Sequence, residues 1–599
     1  MELATQLEQQ ATITDLMQQY AEIEGDCKLW HKYVADNRRQ YALRHHEDPM
    51  NYDVTLSKPH NIVTFSKAVI AASQLRMRAV GFADTRSTME RSSNFEKFGT
   101  ALWQVNKVRQ TGRDPKMWYL HRQTVDGCAA AYVFLDPAHR PDSYLRLSWP
   151  ECPITIEVVD TLTLYPRPSN NPLRQFEYLF CVTDVSLAEL MYRYPDVDWT
   201  VHQGGAETES DLRRTRVKLY HYTGYDADNY VVQTIFTEHV LLSDERLWHA
   251  SQYPGLPWVV RSCYEGDATA AEGDDQPQSM GLIERFQSIL HPVNDAVKTV
   301  EMILSGDMRA HDMYANMPPV VYTQDGRDVE IDPEWGNVVK LRQGEELGWP
   351  RWPGNPPDST RLTNFHMGDI QEASFSAAAM GYAGSSASGY HVALTTESSR
   401  MRLQLPANNW ASAVAETANL SKHLLNHYYP YTAIQMYGQD AMGEGETFAF
   451  QPRSANGLIM TAEIELQLPG DDIRRTAMAA QWKGIGVDDH TIFETALSFD
   501  QPDEIWRRKQ WEMAQTHPVM QLLNMIEALK ARGDARYPIL EALLEKAVAG
   551  SLGADAGRTA YRGPDQQAAL RPMGTDSIPL QDQGYTTTPG AAPQTQEMT

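Results

Sequence analysis

The segment "MGLIERFQSILHPVNDAVKTVEMILSGDMRAHDMY", residues 280–314, reads as one long helical pattern in the middle of the chain. Apolar residues recur in it at spacings of three and four, which places them on one stripe of a helix. The stripe consists of Ile289, Val293, Val297, Val300 and Leu304. Pro292 lies inside the pattern and should kink the helix or begin its second half. Pro318 and Pro319 end the pattern, so a helix is predicted over 280–317.

Four segments follow in a fixed order. Residues 318–358 hold short apolar runs broken by Asp-Gly and proline, which indicates a small β-rich insertion. Residues 359–382 read as helical again, and a run of small residues over 383–395 predicts a loop. Residues 396–470 begin with a long helix over 396–429, in which Pro406 predicts a kink, and continue into strands. One face of the 359–382 helix is apolar and includes Leu362, Phe365, Ile370, Ala373, Ala377 and Met380.

The flanking regions complete the predicted fold. Residues 1–279 have a helical start, read over 1–45 and 63–110, followed by mixed strand and helix patterns from 115 to 265. Within this region Ser186 is predicted to cap a short helix that ends before Pro195. Residues 471–550 read as helical, and 551–599 are too rich in Gly, Ala, Pro, Gln and Thr to fold. The sequence therefore predicts an α+β fold that is predominantly helical.

Composition narrows the function classes. The 599 residues carry a formal net charge of −25, with a pI near 5.1, which argues against a protein that binds nucleic acid tightly by neutralising phosphates. The same charge allows a surface past which nucleic acid slides without sticking. The cysteines are scattered, so we expect buried free thiols, namely Cys27, Cys128, Cys152, Cys181 and Cys263. Neither a signal peptide nor a membrane-spanning run is recognisable, which predicts a soluble protein made in a reducing cytoplasm.

A search for catalytic chemistry finds incomplete motifs. The Gly/Ser-rich loop over 383–395 has no lysine for a phosphate and misses the spacing of a serine nucleophile elbow. His423 and His427 are four residues apart, but Leu424 stands where a zinc hydrolase carries its glutamate. Because no set of nucleophile, base and orienting group is present, we expect no enzyme, no metal and no cofactor.

The order of helix, β-rich insertion, helix, small-residue loop and kinked helix from 280 to 430 resembles the core of a tailed-bacteriophage portal, or head-to-tail connector, protein. The resemblance implies a ring subunit with wing, stem, clip and crown. It assigns the N-terminal wing to 1–279, stem helices to 280–317 and 359–382, the clip to 318–358, a tunnel loop to 383–395, the wing helix and strands to 396–470, the crown to 471–550 and a disordered tail to 551–599.

The resemblance also implies roles for individual residues. The tunnel loop would face a DNA channel through Gly384, Ser385, Ser386, Ala387, Ser388, Gly389 and Tyr390. Tyr390 would either wedge against DNA or anchor the loop on the helix below. The stem would pack on neighbouring subunits through Ile289, Val293, Val297, Val300, Leu304, Phe365, Ile370, Ala373 and Ala377. The clip would dock terminase or adaptor through Asp325, Arg327, Trp335, Trp349 and Trp352.

As a portal, the chain would form a homo-oligomeric ring, expected to be dodecameric, at one capsid vertex of a virion assembled in the host cytoplasm. Its partners would be the major capsid protein, the terminase large subunit, a tail or head-completion adaptor and the double-stranded DNA that passes through the ring. No membrane is implied. Two alternatives stay open: a packaging-associated nucleotide hydrolase built around 383–395, and another multimeric virion component such as a tail adaptor.

Overall fold

The structure is a computed structural model of the 599-residue chain. Beyond isolated positions, it describes residues 2–44, 54–81, 86–110, 112–136, 152–203, 208–265, 278–315, 320–322, 346–348, 357–375, 389–439, 445–466, 471–493 and 505–511. Met1–Ile505 form one compact unit and Trp506–Thr599 a second one. In the second unit, the described stretch 506–511 is helical.

The N-terminal helices share one buried core. Helix α1 (Glu2–Tyr41) confirms the predicted helical start, and it buries a stripe at three- and four-residue spacing that includes Leu16, Tyr20, Ile23, Cys27, Trp30 and Val34. Helices α2 (Lys58–Ala72), α3 (Arg86–Arg109) and α4 (Pro115–Asp126) pack around the same core. Helix α4 begins after Asp114, whose carboxylate accepts a hydrogen bond from the Lys116 N–H at 3.0 Å.

Two antiparallel sheets form the β part of the first unit. The strand β2 (Cys128–Leu135) lies between β3 (Ile154–Val158) and β9 (Trp258–Ser262). The second sheet is a five-stranded meander of β4 (Leu164–Pro168), β5 (Phe176–Ser186), β6 (Arg216–Tyr225), β7 (Tyr230–Phe236) and β8 (Leu241–His249). After β5 come the short helices α5 (Leu187–Arg193), α6 (Thr200–Gln203) and α7 (Glu209–Arg214). The predicted cap is confirmed, because Ser186 Oγ accepts from the Glu189 N–H.

One strand interrupts a region that the sequence predicts as helix. Between α2 and α3 the chain forms β1 (Gln74–Gly81), which pairs antiparallel with β14 (Leu458–Glu465) near the other end of the unit. The letters "LRMR" alternate apolar and charged residues, so they fit a strand with one buried face better than a helix. The predicted helical stretch over 63–110 is therefore two helices separated by a strand.

The central helices of the chain follow the predicted order with different bounds. Helix α8 (Gln278–Arg285), a 3-10 turn (His291–Val293) and helix α9 (Asn294–Ala315) replace one helix over 280–317, so Pro292 begins the second half. Short strands β10 (Val320–Tyr322) and β11 (Glu346–Gly348) pair in the predicted insertion. Helices α10 (Pro357–Ala373) and α11 (Gly389–Tyr428) come next.

Helix α11 begins seven residues earlier than predicted. Gly389 and Tyr390 were assigned to a loop over 383–395, but their backbone is helical. After Gly389 the sequence "YHVALTTESS" holds neither glycine nor proline, so no residue there interrupts a helix that starts at its glycine. After α11 come the hairpin β12 (Ile434–Gln439) and β13 (Gly445–Phe450), then β14, and helices α12 (Asp471–Gly484) and α13 (Asp489–Thr491).

The main core joins these elements into a mixed α+β fold. Residues from α1 to α4, both larger sheets, α9 and α11 share one buried hydrophobic cluster. All five cysteines are free and buried, which confirms that part of the prediction.

Candidate functional site

The site is built on three helices, α9, α10 and α11, which we call the central helices. Helix α9 buries Val297 and Val300 in the core of its own chain, and Ile370 of α10 is buried there as well. Ile289 and Val293 are buried in the turn that precedes α9, and Leu304 is partly buried. The stripe predicted to pack on neighbouring subunits thus belongs to the buried cluster of its own chain, and α10 packs against α9.

Helix α9 is also held by the segment that follows α1. The Leu56 N–H donates to Glu301 Oε1 at 2.8 Å, and the Val54 N–H donates to Ser305 Oγ at 2.9 Å. Glu301 and Ser305 are one helical turn apart and both are buried. These side chains supply acceptors to a stretch of chain that runs along α9 without forming secondary structure of its own.

The outer surface of the central helices carries large apolar side chains. Phe365 is 63% exposed and Met401 is 71% exposed, although both types are usually buried in a monomer. The exposed set on these helices is Met302, Met308, Leu362, Phe365, Met401 and Leu405. Arg402 Nη1 donates to the Ser374 carbonyl at 2.9 Å, which joins α11 to the end of α10. Helices α9 and α10 pack against each other. A contiguous exposed apolar patch is typical of a contact with another protein chain.

Acidic residues outnumber basic ones on α9 and α10. Helix α9 carries four acids and two bases, and α10 carries three acids and one base. The sign of the charge matches that of the whole chain. A surface of this charge repels phosphate groups at close range.

Pro406 interrupts the hydrogen bonding of α11 near the middle of the helix, a point that we call the bend, and the rest of the chain satisfies the groups that the proline leaves unpaired. Pro406 has no N–H, so the carbonyl of Arg402, four residues earlier, loses its helical partner. Tyr264 Oη donates to this Arg402 carbonyl at 3.0 Å. Gln123 Nε2 donates to the Pro406 carbonyl at 3.1 Å. The bend is therefore hydrogen-bonded from α4 and from the end of β9.

Replacement of Tyr264 tests this account of the bend. We expect Tyr264→Phe to lower the free energy of unfolding by about 1 kcal/mol, because the Arg402 carbonyl loses its donor. In a Pro406→Ala background the new N–H at position 406 can donate to the same carbonyl, so the cost of Tyr264→Phe should fall. A double-mutant cycle by urea denaturation measures the coupling. Equal costs in the two backgrounds would contradict the assignment.

Two buried amides tie this bend to the sheet. Gln123 Nε2 also donates to the Ser262 carbonyl at 3.0 Å, and Asn409 Nδ2 donates to the same carbonyl at 3.2 Å. Both amides are buried, and both are separated by more than a hundred residues from at least one partner. Sequence reasoning missed them.

The break between α8 and α9 is likewise held by hydrogen bonds from residues that are distant in sequence. The Tyr264 N–H donates to the Gln287 carbonyl at 3.1 Å, and the Ile289 N–H donates to the Thr124 carbonyl at 3.2 Å. The Ser288 hydroxyl donates to Thr124 as well, at 3.0 Å. Backbone groups that would continue a helix over 286–290 are thus bonded to Thr124 of α4 and to Tyr264. Helix α4 is capped at its C-terminus by Gly127, which has a φ of +82°.

Several predicted site residues lie outside the described residues. These are Gly384, Ser385, Ser386, Ala387 and Ser388 of the loop, Ala377 of the stem, and Asp325, Arg327, Trp335, Trp349 and Trp352 of the insertion. The backbone of Ala373, Gly389 and Tyr390 is helical.

His423 and His427 of α11 have different surroundings. The His423 ring stacks on Tyr253 with centroids 5.3 Å apart and meets Trp248 edge-on. The pKa of His423 is lowered to about 4, chiefly by burial and to a smaller extent by nearby His427 and Lys422. His427 is exposed. Within the described part of the chain, no three His, Cys, Asp or Glu side chains cluster closely enough to hold a metal ion.

Comparison with known proteins returned structures alone. No protein-family model and no curated protein matches the chain. Among solved structures, a chain from the "Neck of empty GTA particle computed with C6 symmetry" is similar at a TM-score of 0.38 and 10% identity, over 77% of this chain and 94% of that one. A chain from the "Virion of native gene transfer agent (GTA) particle" is similar at 0.38 and 9% identity, over 78% and 93%. At so low a TM-score, no functional conclusion follows. Among the described helices, none is long and apolar enough to cross a membrane.

Proposed function

We propose that this chain is the subunit of a portal ring, through which a phage-type genome is packaged and later ejected. In this proposal α9 and α10 form the stem, the insertion between them the clip, and the segment before α11 the tunnel loop. Helix α11 and the two larger sheets belong to the wing, and residues 471–550 to the crown. The ring would dock a terminase and then a tail or head-completion adaptor, and it would sit in the shell of major capsid protein.

The observation that carries the proposal is the exposed apolar surface of the central helices. Phe365 and Met401 are exposed on helices that follow one another along the chain in the order helix, insertion, helix, helix with an internal proline. Closed rings repeat one such contact around an axis, so a single surface is used by every subunit. Met302 of α9, 49% exposed, extends this surface to the first helix of the series.

The charge of the central helices supports a role beside DNA. Each neutralised phosphate adds to affinity, so a channel that passes DNA quickly benefits from acids instead of bases. A ring built from subunits of net charge −25 would be strongly acidic. The proposed role is structural: the ring conducts and anchors, and the motor and its chemistry belong to a partner.

Ring assembly tests the proposal. Negative-stain images of the purified full chain should show rings with a central hole, and Phe365→Asp should shift the population to monomers or small oligomers. Burial of one phenylalanine stabilises an interface by about 1.5–3 kcal/mol, and the loss is repeated at every contact of the ring. Mass photometry gives the mass distribution.

A matched control replaces an equally exposed apolar residue elsewhere. Leu173, 78% exposed in the turn between β4 and β5, should tolerate Leu173→Asp without loss of rings. Wild-type protein that stays monomeric under every assembly condition would sink the portal proposal. If Phe365→Asp forms rings of normal mass, Phe365 does not lie in the interface. In that case the wild-type result alone decides the portal proposal.

A further inference from the structure

A cavity of about 680 Å³ lies between the two larger sheets of the first unit. One wall is the three-stranded sheet and the other is the five-stranded meander, while α5 and the end of α11 border the cavity. The volume falls in the range of sites that take a whole small molecule, and it is far larger than one side chain. No step of the proposed ring function uses it.

The wall from the three-stranded sheet combines aromatic rings with a carboxylate. Tyr132 and Phe134 are two residues apart on β2, so they share a face, and their rings stack with centroids 5.0 Å apart. Glu157 of β3 is the register partner of Tyr132, which places its carboxylate beside the Tyr132 ring on that face. All three side chains line the cavity, and none of them is fully buried.

The opposite wall supplies a second carboxylate. Glu245 of β8 lines the cavity beside its register partner Gln233 of β7. Two basic side chains line the cavity. Burial lowers the pKa of His221 to about 4, so this imidazole is neutral at pH 7. Arg193 of α5 is charged, and its Nη2 is bonded to Glu189 at 2.6 Å on the helix surface. At neutral pH the lining therefore holds two acids and one charged base that already has a carboxylate partner.

The surroundings of Glu157 leave its negative charge poorly compensated. Its side chain reaches the water of the cavity, yet the enclosing protein raises its pKa above the usual range through desolvation, against a smaller opposite effect of Arg193. Among the described residues, none forms a hydrogen bond or an ion pair with Glu157. A carboxylate next to aromatic ring faces attracts a cation, because the ring quadrupole and the charge act in the same direction.

We propose that this cavity binds a small organic cation, an aliphatic amine, and that the two carboxylates on opposite walls favour a diamine over a monoamine. The ammonium groups would donate hydrogen bonds to Glu157 and Glu245, and the alkyl chain would lie against Tyr132 and Phe134. The cavity volume favours a diffusible molecule over the side chain of another protein. The proposal is independent of ring formation.

Isothermal titration calorimetry of the full chain with putrescine, n-butylamine and the neutral 1,4-butanediol tests the site. We expect saturable binding of putrescine, weaker binding of n-butylamine and none of the diol. Glu157→Gln and Glu245→Gln should each weaken putrescine binding by about tenfold or more, the scale of one lost charge-assisted hydrogen bond. Asp184→Asn is the control, because Asp184 is exposed on β5 directly after Thr183, which lines the cavity.

Three results would overturn the proposal. They are no saturable binding of either amine, binding of the diol as tight as that of putrescine, and equal weakening by Asp184→Asn and the two glutamine variants. The last result would mean general attraction to an acidic surface. Circular dichroism of each variant shows whether it is folded, and Phe134→Leu provides a second, uncharged variant that should weaken both amines.

Discussion

Gly127→Ala is expected to lower the free energy of unfolding by about 3–5 kcal/mol, the largest loss expected from a single methyl group in this chain. Gly127 ends α4 with a φ of +82°, where an L-residue with a Cβ is strained. A Cβ at this position would also overlap the Phe286 carbonyl oxygen and lie 2.6 Å from the Ser288 nitrogen. Both neighbours are backbone atoms of the segment that separates α8 from α9, so they cannot rotate away.

Gly457 provides the matched control. It has nearly the same φ, +78°, but a Cβ there would meet no atom within 4 Å. Gly457→Ala should therefore cost about 1 kcal/mol, the strain of the left-handed conformation alone. Urea denaturation of both variants separates the two contributions. If Gly127→Ala costs no more than Gly457→Ala, the close approach of α4 to residues 286–288 is not rigid.

Asp126→Asn is expected to cost about 3–5 kcal/mol, because it removes a buried negative charge between two arginines. Asp126 is fully buried at the end of α4. Arg38 of α1 bonds its two oxygens through Nε at 2.8 Å and Nη2 at 2.7 Å, and Arg122 Nη1 lies 3.2 Å from Oδ2. Asp160 bonds both arginines from the other side. Without Asp126, two guanidinium groups share one counter-charge.

An exposed ion pair provides the control for this variant. Glu189 and Arg193 lie one turn apart on α5 and are both about half exposed, so Glu189→Gln should change stability by no more than about 0.5 kcal/mol. Thermal unfolding of the two variants gives the comparison. A loss below about 1 kcal/mol in Asp126→Asn would show that the cluster fixes geometry without stabilising the fold.

The same cluster predicts the sign of a pH effect. Burial acts to raise the pKa of Asp160, but the hydrogen bonds from Arg38 and the Leu162 N–H and the charges of Arg38 and Arg122 together outweigh it, so the pKa is lowered. A carboxylate with a lowered pKa contributes stability that is fully present above its ordinary pKa. That contribution is lost as pH falls through the lowered value. As the pH falls below about 4, the free energy of unfolding of Asp160→Asn should therefore decrease less steeply than that of the wild type. Urea denaturation at a series of pH values measures both slopes.

Local patterns in the sequence predicted the elements that local physics decides. The cap at Ser186 and the buried stripe of α1 depend on residues within one or two turns. The strand β1 was missed because it lies between two helices, and its partner β14 is almost four hundred residues away. The break at 286–290 was missed for a similar reason, since Thr124 and Tyr264 engage that backbone.

The candidate site was predictable in order but not in contacts. The sequence showed the position of Pro406, and residue spacing predicted the apolar stripe that includes Val297. Neither indicated which surface the stripe packs against. The partners of Pro406, Tyr264 and Gln123, come from elements that no periodicity connects. Likewise, the wall of Tyr132 and Glu157 exists because β2 and β3 pair in one register, which a shift of one residue would abolish.

The burial of the cysteines makes it practical to measure distances between subunits in the proposed ring. Burial raises the pKa of every one of the five thiols, to about 12 for Cys27, about 11 for Cys152 and about 12 for Cys181, so each is protonated and shielded at neutral pH. A cysteine introduced at Tyr192, 88% exposed on α5, would then react with a maleimide dye while the natural thiols stay untouched. Fluorescence from such labels would count subunits and follow their separation, with no natural cysteine removed beforehand.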